Sequence, residues 1–203
     1  MPDANAPSKA PSILLVCGFG RCGSSLVMQM LAAGGFLVTG EYPAFETSIA
    51  LPEGRRGDAG AWQSYLGQAV KLLDPHVGPL PKGMAFRVIW LDRNPTEQAK
   101  SQVKFAKWSM GLPFNRGTRR ALARSYMADR SKAIAACRAL SASPIVGLSF
   151  GSILRAPCDA SRSIQTAAGV PLDIHAMARV VRPRGPECYP GMLEEALIAE
   201  RCA

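Results

Sequence analysis

The stretch Ser12–Gly35, SILLVCGFGRCGSSLVMQMLAAGG, decides the fold. Ile13–Cys17 is an unbroken apolar run, the pattern of a strand covered on both faces. Gly18, Gly20 and Gly23 then punctuate a tight loop. Ser24–Ala33 follows with Leu26/Met30 and Val27/Leu31 four residues apart, which is helical spacing, and Gly34–Gly35 supplies a stop. Strand, glycine loop and helix in that order make an anion cradle, because backbone N–H groups converge there and the helix N-terminus adds positive potential. An ATP-binding loop of this kind reads G-x-x-x-x-G-K-[ST]. Here it reads Gly18-Phe19-Gly20-Arg21-Cys22-Gly23-Ser24-Ser25. The spacing is kept, Ser24 stands in the lysine position, and Arg21 places a cation inside the loop.

Working outward, four more short apolar runs predict strands at Phe36–Thr39, Ala69–Leu73, Phe86–Leu91 and Ile145–Phe150. Helical patterns lie between most of them. Asn94, Pro95 and Glu97 are an N-cap, a first-turn proline and an N3 glutamate, and so predict a helix through Trp108. Further helices are expected over Arg116–Leu140, Asp159–Ala168, Asp173–Val180 and Met192–Glu200. Strands alternating with helices predict a three-layer α/β/α fold around a central parallel sheet of about five strands. Leu51–Trp62 reads as a polar, glycine-rich loop. With no repeat or linker, residues 12–203 are expected to form one domain behind a disordered leader at 1–11.

The chain has 203 residues, 48% apolar and 19% charged, enough for one real core. Its net charge of +9 favours anionic partners. The 24 Lys and Arg form no aromatic-interleaved run, which points to a small polyanionic ligand rather than nucleic acid. Six cysteines (17, 22, 137, 158, 188, 202) form no C-x-x-C and no metal spacing with the two histidines, so no metal and a reducing, cytoplasmic setting are expected. There is no signal-peptide pattern and no apolar run near the roughly 20 residues a membrane helix needs, so no membrane partner is expected.

GFGRCGSSLVMQML resembles the 5′-phosphosulfate loop of sulfotransferases, Pro-x-[Arg/Lys]-Ser-Gly-Thr-[Ser/Thr]. Arg21 matches the basic residue, Gly23 the glycine, and Ser24 and Ser25 the hydroxyl pair. Gly20 departs from the family's proline and Cys22 from its serine. FRVIWLDRNPTEQAKSQ resembles the family's 3′-phosphate segment, with Arg93 and Ser101 matching its arginine and serine. Gly67–Pro81 and Val146–Val181 resemble further parts, so the likeness covers roughly residues 12–185. It implies a P-loop nucleoside triphosphate hydrolase-like fold. It also implies an enzyme that moves a sulfuryl group from 3′-phosphoadenosine 5′-phosphosulfate (PAPS) to a small-molecule or peptide hydroxyl, leaving adenosine 3′,5′-bisphosphate (PAP), without a metal.

The resemblance assigns cofactor contacts to Gly20, Arg21, Cys22, Gly23, Ser24, Ser25, Arg93 and Ser101. Arginine suits such a phosphate, offering a planar fork whose charge is permanent. Arg21 and Lys71 are the cations expected near the bridging oxygen. Glu41, His76 and Glu46 are the candidate bases, Glu41 and His76 ranked level and ahead of Glu46. His175 reads as structural. Arg182 and Arg184 lie where family members often carry a basic loop, without its Arg-Lys-Gly signature. Two alternatives stand beside this reading. One is a nucleotide-dependent kinase or NTPase with Asp92 on Mg²⁺, and the other a non-catalytic nucleotide-binding relative.

Overall fold

A computed structural model describes residues 12–51, 55, 57–81, 83–110 and 115–182, with side chains at 108–110 left undescribed. The expected leader, the helix Met192–Glu200 and Arg184 lie outside the described residues. Strand β1 is Ile13–Gly18, followed by helix α1, Ser24–Ala33. Strands β2 (Ala69–Leu73) and β3 (Phe86–Asp92) come next, then helices α2 (Pro95–Met110) and α3 (Arg116–Leu140). Strand β4 (Val146–Ser149) leads into α4 (Phe150–Arg155), α5 (Pro157–Ala168) and α6 (Ile174–Val180). Two short 3₁₀ turns, Ser48–Ala50 and Gly60–Tyr65, lie between α1 and β2.

The sheet is parallel with order β2-β1-β3-β4. β1 is central and buried along its whole length, which is why it reads as an unbroken apolar run. One face, through Leu14 and Val16, packs on Val27, Met28 and Leu31 of α1, Ile164 of α5 and Met177 of α6. The other, through Ile13, Leu15 and Cys17, packs with Trp62, Phe86 and Trp90 against Ala133, Cys137 and Leu140 of α3. Three layers result, as expected. The register aligns the carboxyl ends: Gly18 pairs with Leu73 and Leu91, and Asp92 with Ser149. The loops that follow β1, β2, β3 and β4 therefore emerge along one edge, where ligands bind in open parallel sheets.

The described sheet has four strands, one fewer than expected. Phe36–Thr39 makes only an isolated parallel bridge, Val38 to Ala69. Leu37 points outward at 69% exposure, and Gly40 turns the chain away with φ +77°. The last strand also ends earlier than expected. Ser149 caps α4 reciprocally with Ser152, so Phe150 is helical. Asn94 caps α2 as expected, its Oδ1 accepting from the amides of Thr96 (3.0 Å) and Glu97 (3.2 Å). Among the described residues no helix is long and apolar enough to cross a membrane.

Candidate functional site

The loop after β1 is held by the unit β3–α2. Gln98, 3% exposed, donates from Nε2 to the carbonyls of Phe19 (3.3 Å) and Gly20 (2.8 Å). Arg93 Nη1 donates to the carbonyl of Arg21 at 3.0 Å. Three successive loop carbonyls are thus tied to one neighbouring segment. This restraint holds Arg21 at φ +66°, a left-handed conformation costly for a residue with a Cβ. Gly23, at φ +103°, is the N-cap of α1, and a Cβ there would meet the Phe150 ring at 2.5 Å. With glycine at that position, α1 has no side-chain cap, and its first turn carries no acid. The positive end of the helix is left for an anion.

Two cations face this end. Arg21 Nε donates to Ser101 Oγ at 3.2 Å, and its guanidinium lies 4.9 Å from the centre of the Phe105 ring. Arg93 stacks on Phe150 at 4.5 Å. Segments eighty residues apart in sequence therefore meet at one edge. Lys71 approaches from β2, where it pairs with Val16. Its side chain is 5% exposed, and Nζ donates to Ala44 O (2.7 Å), Glu46 Oε1 (2.9 Å) and Ser25 Oγ (3.3 Å). An ammonium has three protons, and all three are used. The buried charge is balanced by a carboxylate that stays 48% exposed.

Cys22 turns inward. Its side chain is fully buried, its amide donates to Phe19 O at 3.1 Å, and burial raises its thiol against the opposing pull of Ser24 hydrogen bonds. Its side chain fills the core and its amide closes the turn on Phe19.

The three candidate bases separate. Glu46 is on Lys71. Glu41 is exposed, and among the described residues no group pairs with its carboxylate. His76 sits beyond β2 on the α3 side of the sheet. Its ring meets Phe19 edge-on at 5.6 Å, Nε2 is 4.0 Å from Asp129 Oδ2, and Nδ1 is buried without a hydrogen-bond partner. It makes no hydrogen bond or ion pair with Lys71 or Ser25.

Residue-by-residue reading missed Gln98 and Arg55. Gln98 had a signal: Gln98, Ser101, Gln102 and Phe105 share a helix face at i, i+3, i+4 and i+7, and that face meets the loop. Gly20 lies against it too, since a Cβ there would be 3.3 Å from Gln102 Oε1. Arg55 had none. It is buried, and its guanidinium donates to the carbonyls of Leu73 (2.6 Å), Ala50 (2.9 Å), Asp74 (3.2 Å) and Val77. It ties the end of β2 to the turn that follows Glu46.

Beside it Asp74 has its carboxyl raised above the usual range, chiefly by burial, with His76 and Arg55 opposing and Asp129 adding to the rise. Folding therefore penalises its charged form. That penalty is complete above the folded pKa and vanishes below the unfolded one. Asp74→Asn is expected to raise stability at neutral pH, and asparagine tolerates the φ of +49°. The gain should shrink as pH falls through the carboxylate range. Denaturant titrations at several pH values check this, and a gain that grows on acidification would refute it.

Asp92 is occupied. Arg130 Nε donates to both of its carboxylate oxygens at 3.1 Å, and Nη2 to one of them. The magnesium role required by a kinase reading would first need this pair broken.

The parallel sheet, with its glycine loop at the carboxyl edge, has the fold of solved sulfotransferases. The structure resembles mouse sulfotransferase SULT7A1 complexed with PAP, with TM-score 0.60 and 11% identity over 84% of this chain. It also resembles the sulfotransferase of Alicyclobacillus acidocaldarius, with TM-score 0.53 and 14% identity over 95% of this chain and 91% of that one. The chain spans 65% of the length of the mouse protein. No protein-family model matches the sequence, and no curated protein does.

Proposed function

We propose that the protein is a PAPS-dependent sulfotransferase acting on a hydroxyl acceptor. One observation carries the proposal: Lys71, Arg21, Arg93, Ser25 and Ser101 converge beside an uncapped helix N-terminus. Gly20–Ser25 would hold the 5′-phosphate through the loop, the helix end and its cations. Arg93 and Ser101 would hold the 3′-phosphate. Lys71 would face the bridging oxygen, where negative charge develops as the leaving phosphate departs. Glu46 now ranks first as base because only it, of the three candidates, touches the cation set. In the reaction the acceptor O–H proton passes to Glu46, a new O–S bond forms in line, and the old S–O bond breaks to release PAP. Positioning and fixed charge supply the catalysis. The free cysteines at 17, 22, 137 and 158 fit a reducing, cytoplasmic setting.

PAP without metal is expected to raise the melting midpoint, whereas ATP alone should do little. Stabilisation by Mg-ATP alone would reject the proposal. Arg93→Ala is expected to weaken PAP binding by about 1.5–3 kcal/mol, the range for hydrogen bonds to charged groups. Titration calorimetry measures it, and unchanged affinity would remove Arg93 from the site. Part of the loss would come through the freed Arg21 carbonyl, so turnover should fall as well.

A further inference from the structure

Gln98 carries no charge and is 3% exposed, yet its side chain leaves α2 to meet the anion loop. A side-chain amide nitrogen has two protons. Here they serve the carbonyls of Gly20 at 2.8 Å and Phe19 at 3.3 Å. Both partners are acceptors, so the nitrogen end of the amide must be the one that faces the loop. The Phe19 end of the loop is anchored in other ways as well. Its ring is buried among His76, Trp90 and Tyr126, and its carbonyl also accepts from the Cys22 amide at 3.1 Å. The peptide between Gly20 and Arg21 is where the bond from Gln98 decides most.

That peptide is trans and planar, so it turns as one rigid unit. Half a turn changes only ψ of Gly20 and φ of Arg21. It would carry Arg21 from φ +66° back to the negative φ that a residue with a Cβ prefers. Gly20 has no Cβ and tolerates such a change of ψ. Local preference therefore favours the turned peptide, and a left-handed Arg21 persists only because its surroundings hold it. The turned peptide would swing the Gly20 carbonyl from the α2 side of the loop to the opposite one. An anion loop works by presenting N–H groups, and a carbonyl oxygen among them would repel the ligand.

We propose that Gln98 is a positioning residue that keeps the Gly20 carbonyl turned away from the 5′-phosphate of the donor. This deepens the sulfotransferase reading and rests on it for the identity of the anion. Gln98 acts through the backbone alone. Its N–H groups are spent on the loop, so it meets neither phosphate, and its effect belongs to the 5′ end of the nucleotide. Arg93 and Ser101, assigned to the 3′ end, keep their places without it.

Titration calorimetry on the full chain with PAP, adenosine 5′-monophosphate and adenosine 3′-monophosphate tests this. Gln98→Met keeps an unbranched side chain and a good helix former while removing both protons. It is expected to weaken PAP and the 5′-monophosphate about tenfold, from roughly one or two net hydrogen bonds. The 3′-monophosphate should bind as before. Equal weakening of all three nucleotides would make Gln98 a structural tie between α2 and the loop and overturn the proposal, as would unchanged binding of PAP. A second measurement addresses the backbone. In an Arg21→Gly background a positive φ carries no penalty, so Gln98→Met should cost much less there. The same loss in both backgrounds would refute the turned peptide. Failure of PAP to bind the unmodified chain would defeat the donor reading itself, whereas a chain that binds PAP without regard to Gln98 defeats this proposal alone.

Discussion

Lys71→Met is expected to lower kcat by about 10²–10³-fold, the loss seen when one preorganised donor to a developing anion is removed. The reason lies in how Lys71 is held. It stands on β2, inside the sheet, 5% exposed, with its ammonium fixed by three oxygen acceptors. Such a charge needs no reorganisation when negative charge grows on the bridging oxygen. In a site shielded from water it also acts through a lower dielectric than a surface lysine would. Methionine keeps much of the stem volume and removes the charge. The loss should fall on kcat more than on PAP affinity, because the partner charge develops in the transition state. Single-turnover kinetics with labelled donor, paired with PAP titration, separates the two. An unchanged kcat would remove Lys71 from the chemistry. A collapse of the melting midpoint would show its role to be structural.

Glu46→Gln is expected to lower kcat by about 10²–10⁴-fold, the range for a positioned general base. Glutamine keeps an oxygen that can accept from Lys71 Nζ, so the ammonium stays in place and only the proton acceptor is lost. Glu41→Gln and His76→Asn serve as comparisons and should leave kcat near wild type. A large loss in His76→Asn with none in Glu46→Gln would move the base to the α3 side of the sheet. The ion pair also has a geometric consequence. Glu46 stands on the cation meant for the leaving group, so it must yield part of that contact as donor binds. PAP should therefore loosen the Ala44–Thr47 segment, which hydrogen exchange can detect.

Much of the geometry around the proposed donor site was legible in the sequence. Local rules govern it: a continuous apolar run makes a central strand, glycines make the loop, and Asn94 with Pro95 starts α2. Because Arg93 directly follows a strand that runs parallel to β1, its place at the ligand edge follows from topology. Gln98 was equally legible, since it shares the helix face of Ser101 and Phe105, and periodicity alone could have found it. The fifth strand failed because an apolar tetrapeptide pairs only if the backbone beside it stays straight, and Gly40 bends the chain away.

The acceptor side was not legible, for a different reason. Glu46 and Arg55 lie on irregular segments between α1 and β2, and His76 just beyond β2, where no period constrains direction. The family resemblance ranked Glu41 and His76 ahead of Glu46. The proposal puts Glu46 first instead, because the side chain of Lys71 leaves β2 on the α1 face and meets Glu46 and Ser25 there. By itself, then, the sequence determined the layers, the glycine loop and the positions of Arg21 in it and Arg93 beside it, since each depends on neighbours within a few residues. The tertiary structure decided which carboxylate meets the buried lysine, because that depends on where a strand's side chains point after the sheet has assembled.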